Sequence, residues 1–430
     1  MERKILRGRL LTFLRRPESH DDTESFRYLA DGGLQIEGGV IRRIDQFDAL
    51  DDSGAEVIDH RPHLIMPGFI DTHLHFPQTQ VIASWAAELL DWLNDYTFPE
   101  ETRYADPALA ATMAEAFLDR LVAHGTTSAV AYGSVHAASV DALFSAAQAR
   151  EMRLIAGKVM MDRNAPAALC DTAQSSHDAT AALIARWHGT DRLGYAITPR
   201  FAITSSPAQL EAAGALAAAH PTCHIQTHLS ENHAEIALAC KLYPDARDYT
   251  DIYARAGLLG PKTLLGHAIH LSGRETRALA EAQAIPVFCP TSNLFLGSGL
   301  FDDARLRGAR LRPAIATDIG GGTSYSMLQT LAEGYKVLQL QGQRMHPYQA
   351  FDWITRANAA ALGLADRIGT LEAGSEADLV VLDARATPAM AQRMARAESL
   401  AEELFVLQVM GDDRAVRQTY IAGRLAWSAP

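Results

Sequence analysis

The stretch PGFIDTHLHFPQTQ, residues 67–80, closes an apolar run with two histidines one residue apart. Side chains at i and i+2 of a β-strand point to the same face, so His73 and His75 look the same way from the end of a strand carrying Phe69 and Ile70. Two imidazoles side by side repel when protonated and leave lone pairs unmet when neutral. A shared metal ion resolves both problems, and imidazole is a favoured ligand of borderline divalent metals. The bland alternative is two core histidines with separate hydrogen-bond partners, since buried polar groups must be paired.

The strand that ends in these histidines is the first of a series. Strand-like runs recur as GTTSAVAYG, RLIAGKVMM, GYAITPRF, CHIQTHLS, TLLGHAIH, IPVFCPTS and RPAIATDIG, which with GFIDTHLH make eight. Alanine-rich stretches such as PALAATMAEAFLDRLVAHG and SVDALFSAAQAREM lie between them, with apolar residues at the three- and four-residue spacing of a helix. Eight alternating units over residues 67–364 predict an α/β fold, a TIM-type (β/α)8 barrel longer than the usual ~250 residues. Residues 1–66 read instead as short strands and turns, GRLLTFL, GGLQIEGGVIRRID and AEVIDH, with the Gly-Gly punctuation of hairpins. After IGTLEAGSEADLVVLD the chain returns to short strands and ends in VRQTYIAGRLAW. The economical reading joins 1–66 and 365–430 into one small β-sandwich domain beside the barrel.

Composition narrows the class. Of 430 residues, 48% are apolar and 21% charged, the balance of a packed globular protein. The net charge is −12 and no Lys/Arg cluster is large enough to track a phosphate backbone, which argues against nucleic acid as a partner. The opening MERKILRGRLLTFLRRPESHDD is basic, but Arg interrupts its apolar runs too often for a secretion signal. No run approaches the roughly 18 apolar residues of a membrane span. Cys170, Cys223, Cys240 and Cys289 are scattered without a C-x-x-C pair, as expected of reduced thiols in a cytoplasmic protein.

In a barrel of this kind, function sits where strands end and βα loops begin. His73 and His75 end the first strand, Arg200 the fourth, and His228 and Glu231 the fifth; His267 lies at the sixth and Asp318 at the eighth. His228 alone reads as a structural histidine and Asp318 as a cap on the following glycines. Together with the His pair they make a His₃-Asp set, which leaves a water position open and so suits a hydrolytic site. Glu231 opens the helix predicted after the fifth strand. It either interacts with that helix's dipole or shuttles protons beside an activated water. His267 is either structural or a group that steadies developing oxyanion charge, and Arg200 offers a fixed planar fork for a ligand carbonyl. His124, His136, His220, His224, His270 and His346 read as core or surface residues. His233-Ala-Glu235 matches half of the H-x-E/P-C-x-x-C signature of one class of zinc deaminases, but the chain has no C-x-x-C.

These blocks resemble the amidohydrolase superfamily of metal-dependent barrel enzymes. More narrowly, HFPQTQ, LLDWLNDYTFPEE (89–101), GKVMMDRNAP (157–166), ITPRFAITSS (197–206), CPTSNLFLGSG (289–299) and TSYSMLQT (323–330) resemble the guanine deaminase family over essentially the whole chain. The resemblance implies one Zn²⁺ per subunit on His73, His75, His228 and Asp318. It implies Glu231 as proton shuttle, aided by His267 and Asp318, and base contacts from Gln78, Arg200 and Phe201 with His228, Glu231 and Asp318. It further implies hydrolysis of guanine to xanthine and ammonia in purine catabolism, by a cytoplasmic homodimer. A related ring such as 8-oxoguanine, a pterin or a triazine is the alternative substrate. Trp85 lies where the family varies.

Overall fold

Eight parallel strands form one sheet in the order in which the chain lays them down: Phe69–His75, Thr126–Tyr132, Arg153–Gly157, Leu193–Pro199, His224–Leu229, Thr263–His267, Ile285–Phe288 and Ala314–Ile315. They are seen in a computed structural model that describes residues 3–85 and 88–430; Ala86 and Ala87 of the IASWAAELL segment, and the first two residues of the 1–66 segment, lie outside the described residues. Each strand falls inside one of the eight runs read from the sequence, except that the fourth begins one residue earlier, at Leu193. The third run is divided, because Lys158 separates Arg153–Gly157 from the two-residue strand Val159–Met160. The barrel strands are buried almost throughout, which is why they read as continuous apolar runs rather than as alternation.

Side chains and irregular backbone close the barrel between its last and first strands. The eighth strand has two residues, and beyond it Asp318 N donates to the His73 carbonyl at 2.9 Å. The fully buried Asn358 amide donates to the carbonyls of Ile70 at 2.7 Å and Ile315 at 2.8 Å, and accepts from Ile315 N at 3.1 Å. One side chain thus satisfies the backbone groups that a regular ladder would have paired. Ile70, Val130, Ile155, Ala196, Leu264 and Ala314, each from a different strand, pack with Leu362 and Ile368 in one buried cluster. The barrel is therefore filled, leaving its strand ends as the place for chemistry.

The outer helices follow the predicted spacing. Pro107–Ala123 is capped by Asp106, whose carboxylate accepts from Ala108 N, and carries Pro at its first position. It buries Ala110, Met113, Ala114, Phe117, Leu118, Leu121 and Val122. Among the described residues no helix is long and apolar enough to cross a membrane.

The terminal segments build a second, mixed sheet of seven strands: Arg424–Ser428, Val416–Ile421, Leu379–Leu382, Glu56–Pro67, Arg3–Phe13, Phe26–Glu37 and Val40–Gln46, in that spatial order. Only the Arg3–Phe13/Glu56–Pro67 pair is parallel. The chain passes from this sheet into the barrel at Gly68, where a Cβ would collide with the Thr127 side chain. Arg153 and Arg192 on the barrel grip Glu376, and Arg192 also grips Asp378, both from the segment leading into Leu379–Leu382.

Candidate active site

His73 and His75 end the first barrel strand, both buried. His73 fits because the sixth strand, across the barrel, carries Gly266, where a Cβ would stand 2.5 Å from His73 Cε1. His228 Nδ1–H donates to the Arg200 carbonyl at 2.7 Å, so its Nε2 presents a lone pair to the barrel axis. Nε2 of His75 faces that atom at 3.2 Å. Asp318 Oδ1 completes the set, 3.3 Å from His73 Nε2 and 3.4 Å from His75 Nε2. Four ligand atoms at 2.0–2.1 Å around a tetrahedral ion stand about 3.3 Å apart, so these spacings fit one divalent cation. His73 Nε2 is buried and has no hydrogen-bond partner, which a cation would answer.

Protonation states point the same way. Burial pushes His75 down to about 4. Burial also drives His228 far below the ordinary imidazole value, with His73, His75 and His267 adding to the effect. Burial works to raise Asp318, but the contacts from His73 and His75 outweigh it and hold the carboxyl well below the usual range. Neutral imidazoles and an ionised carboxylate are the ligating forms. Cys289 lies within the same cluster, its sulfur close to the donors of His73 and Asp318. Its thiol is kept protonated by burial and donates to the Val287 carbonyl at 3.6 Å, so it is a poor ligand beside the histidines.

Glu231 sits beside this set, 3% exposed. The expectation that it opens a helix is corrected: the helix is His233–Leu242, with Asn232 as its cap and Glu235 completing a capping box. Glu231 therefore lies outside the helix. Glu235 Oε2 accepts from Glu231 N at 2.8 Å and pins its backbone. Ser298 Oγ donates to Glu231 Oε1 at 2.7 Å, while Oε2 lies 3.3 Å from His267 Nε2. His267 Nδ1–H donates to Asn293 Oδ1 at 2.9 Å, leaving Nε2 to accept. Burial first, and the Asp318 charge second, push Glu231 up to about 8, against the Ser298 hydrogen bond. At neutral pH it is an acid with a proton to give, next to an ionised Asp318. His267 at φ +68° and Asp318 at φ +55° are both left-handed. Such conformations cost about 1–3 kcal/mol in non-glycine residues and gather at functional sites.

Gln78, Arg200, Phe201, His75, His228, Glu231, His267 and Asp318 all line one partly open cavity. Arg200 Nη1 donates to both oxygens of Glu101 at 2.7 Å, and Gln78 Nε2 donates to Glu101 Oε1 at 2.9 Å. Gln78 Oε1 accepts from Gly320 N at 3.3 Å. Glu101, Ser298 and Asn293 went unnoticed in the sequence, as did Trp92, which lines the cavity with a buried, unpartnered indole N–H. All four sit in blocks that carried the family resemblance, which was the only available signal for them. Trp85 is 77% exposed and does not line the cavity. His233 and Glu235, the half-match to another deaminase signature, begin and cap a helix.

The chain matches the sequence model of the amidohydrolase family over residues 64–426. It is 45% identical over 429 residues to the guanine deaminase of Escherichia coli K12, covering 99% of this chain and 98% of that protein. The solved structure of E. coli guanine deaminase superposes with a TM-score of 0.95 at 44% identity, over all of both chains. The crystal structure of guanine deaminase from C. acetobutylicum, with guanine bound in its active site, superposes with a TM-score of 0.90 at 26% identity, covering 99% and 100% of the two chains.

Proposed function

The chain belongs to the amidohydrolase family, and on that premise we propose that it hydrolyses guanine to xanthine and ammonia. One observation carries the reading: Glu231 and Asp318, whose carboxyls burial and the neighbouring histidines shift in opposite directions, line the same cavity as Gln78 and Arg200. His73, His75, His228 and Asp318 are the residues that would hold a divalent cation, zinc in preference, one per subunit. When bound, it supplies acidity to a water, moving its pKa from about 15.7 towards about 7.

The residues divide the remaining work. Asp318, with His267 beside it, orients the water and takes its proton as the oxygen attacks C2 of the base. Glu231 protonates the ring nitrogen next to C2, so the attacked ring gains electron density without building a charge. The proton held by Asp318 leaves with the amino group as ammonia, and Glu231 takes the proton of the new C2 hydroxyl, which leaves the carbonyl of xanthine and restores the acid. Arg200 gives Nη1 to Glu101 and keeps its remaining N–H groups for the purine carbonyl, with Gln78 beside it and Phe201 offering a face. Adenine carries a donor where guanine carries that carbonyl. Leaving buried donors unpaired costs about 1–3 kcal/mol each, which disfavours adenine.

The same reading places the protein in purine catabolism, as a cytoplasmic homodimer. It divides the chain into a barrel over 67–364 and a composite domain from 1–66 and 365–430. The test is guanine-to-xanthine absorbance change with ammonia release, with and without a chelator. Turnover of 8-oxoguanine, a pterin or a triazine in preference to guanine would overturn the substrate assignment.

A further inference from the structure

Arg200 and Glu101 form an ion pair with almost no access to water, at 3% and 1% exposure. The two residues are 99 positions apart and meet at the cavity wall, Glu101 on the helix Phe98–Thr102 and Arg200 just past the fourth barrel strand. A pair of this kind is a weak device for stability, since well-packed apolar residues of similar volume often do as well or better. Its geometry serves the cavity instead. Glu101 takes both contacts from one guanidinium nitrogen and a third from the Gln78 amide, so a single carboxylate orients both groups that face the base. The Phe98 ring, 5.4 Å from the guanidinium carbon, backs the arrangement.

Charge is the second consequence. A buried arginine with no counter-ion is an anion site, suited to a carboxylate or an enolate. With Glu101 on it, the ion pair as a whole carries no net charge, while the guanidinium keeps the hydrogen-bond donors that Glu101 does not take. We propose that Glu101 is a positioning and specificity-determining residue that makes the pocket select a neutral base over its anion. The inference rests on the guanine reading, and it bears on product release. Xanthine carries a carbonyl where guanine carries the amine and ionises more readily, so an uncompensated Arg200 would retain the product as its anion.

The test uses the metal-loaded protein, beginning with guanine turnover by the wild type; absence of turnover there would overturn the guanine reading rather than the role of Glu101. Glu101→Gln keeps the shape and removes the charge. Inhibition by xanthine is measured from below to above the pH at which xanthine ionises. Above that pH the variant is expected to bind xanthine more tightly than the wild type by about tenfold or more, since an unscreened charge at this range acts strongly. Its KM for guanine should rise more than its kcat falls, with metal content unchanged. Xanthine inhibition that tracks the wild type at every pH would overturn the proposal. If the variant does not fold, the wild type decides alone. Its xanthine inhibition should weaken by about tenfold per pH unit above the ionisation of xanthine, while inhibition by hypoxanthine, which ionises at higher pH, holds steady. Equal strength of xanthine on both sides of that pH would refute the idea.

Discussion

Replacing Glu231 with Gln separates its proton from its hydrogen bonds. The protonated carboxyl accepts from Ser298 at Oε1 and faces the free lone pair of His267 Nε2 at 3.3 Å. A glutamine can accept and donate at the same two places, so no buried group is left unpartnered. What is lost is the acid. General acid catalysis contributes about 10²–10⁴-fold, which is the expected fall in kcat, with KM for guanine little changed. The pH profile sharpens the test. Glu231 is held up to about 8 by burial and by the Asp318 charge, so wild-type turnover should decline above about pH 8 as the proton is lost. Stability follows the same group. Because the folded pKa exceeds the ordinary 4.5, its contribution is fully present below about 4.5 and is lost as pH rises through about 8. Glutamine is neutral throughout, so Glu231→Gln should unfold at a temperature no lower than the wild type at pH 7 and higher at pH 9. Turnover at increasing pH and thermal melts of both proteins measure this. A variant with near-wild-type kcat, or one markedly less stable than the wild type at pH 9, would refute the reasoning.

Chelation should abolish turnover and lower the melting temperature, because an ion bound only by the folded state stabilises it; restored activity and melting on adding Zn²⁺ back, followed with metal analysis, checks both. Gly266→Ala places a methyl 2.5 Å from His73 Cε1 and should weaken metal retention by about tenfold or more, read by competition with a chelator, while circular dichroism stays native. Asn293→Leu removes the acceptor that fixes the His267 tautomer; kcat should fall by about tenfold or more with a smaller change in KM. Arg200→Ala should raise the KM for guanine, and it should lower stability by about 3–5 kcal/mol because Glu101 is left buried and unpaired, measured by denaturant unfolding.

Much of this protein is legible along the chain. Parallel barrel strands are buried on both faces, so each announces itself as a short apolar run, and all eight runs contain a strand. Helix spacing is equally local: the stretch that opens at Pro107 reads as a helix and forms one, Pro107–Ala123. The polar residues at strand ends could be named for the same reason, since a histidine or aspartate at the end of an apolar run is conspicuous without knowing its neighbours. Where the local signal is weak, sequence and structure part: Glu231 reads as the start of a helix, but the helix begins two residues later, at His233, with Asn232 and Glu235 forming its cap.

Periodicity and strand-end chemistry thus determined the barrel, its order and the residues His73, His75, Arg200, His228, Glu231, His267 and Asp318 as a set, to which the family resemblance added Gln78. Tertiary structure alone decided how they are paired. Glu101 reaches Arg200 across 99 positions, Ser298 reaches Glu231 across 67, and Asn358 closes a barrel seam between Ile70 and Ile315. The left-handed turns at His267 and Asp318 aim their side chains inward against local preference. The physical reason is one of range. Hydrophobic pattern acts between residues three or four apart, or two apart, and so is written into the chain. The raised pKa of Glu231 and the pairing of Arg200 with Glu101 depend on burial and on groups from distant parts of the chain, which meet only once the barrel has brought them together.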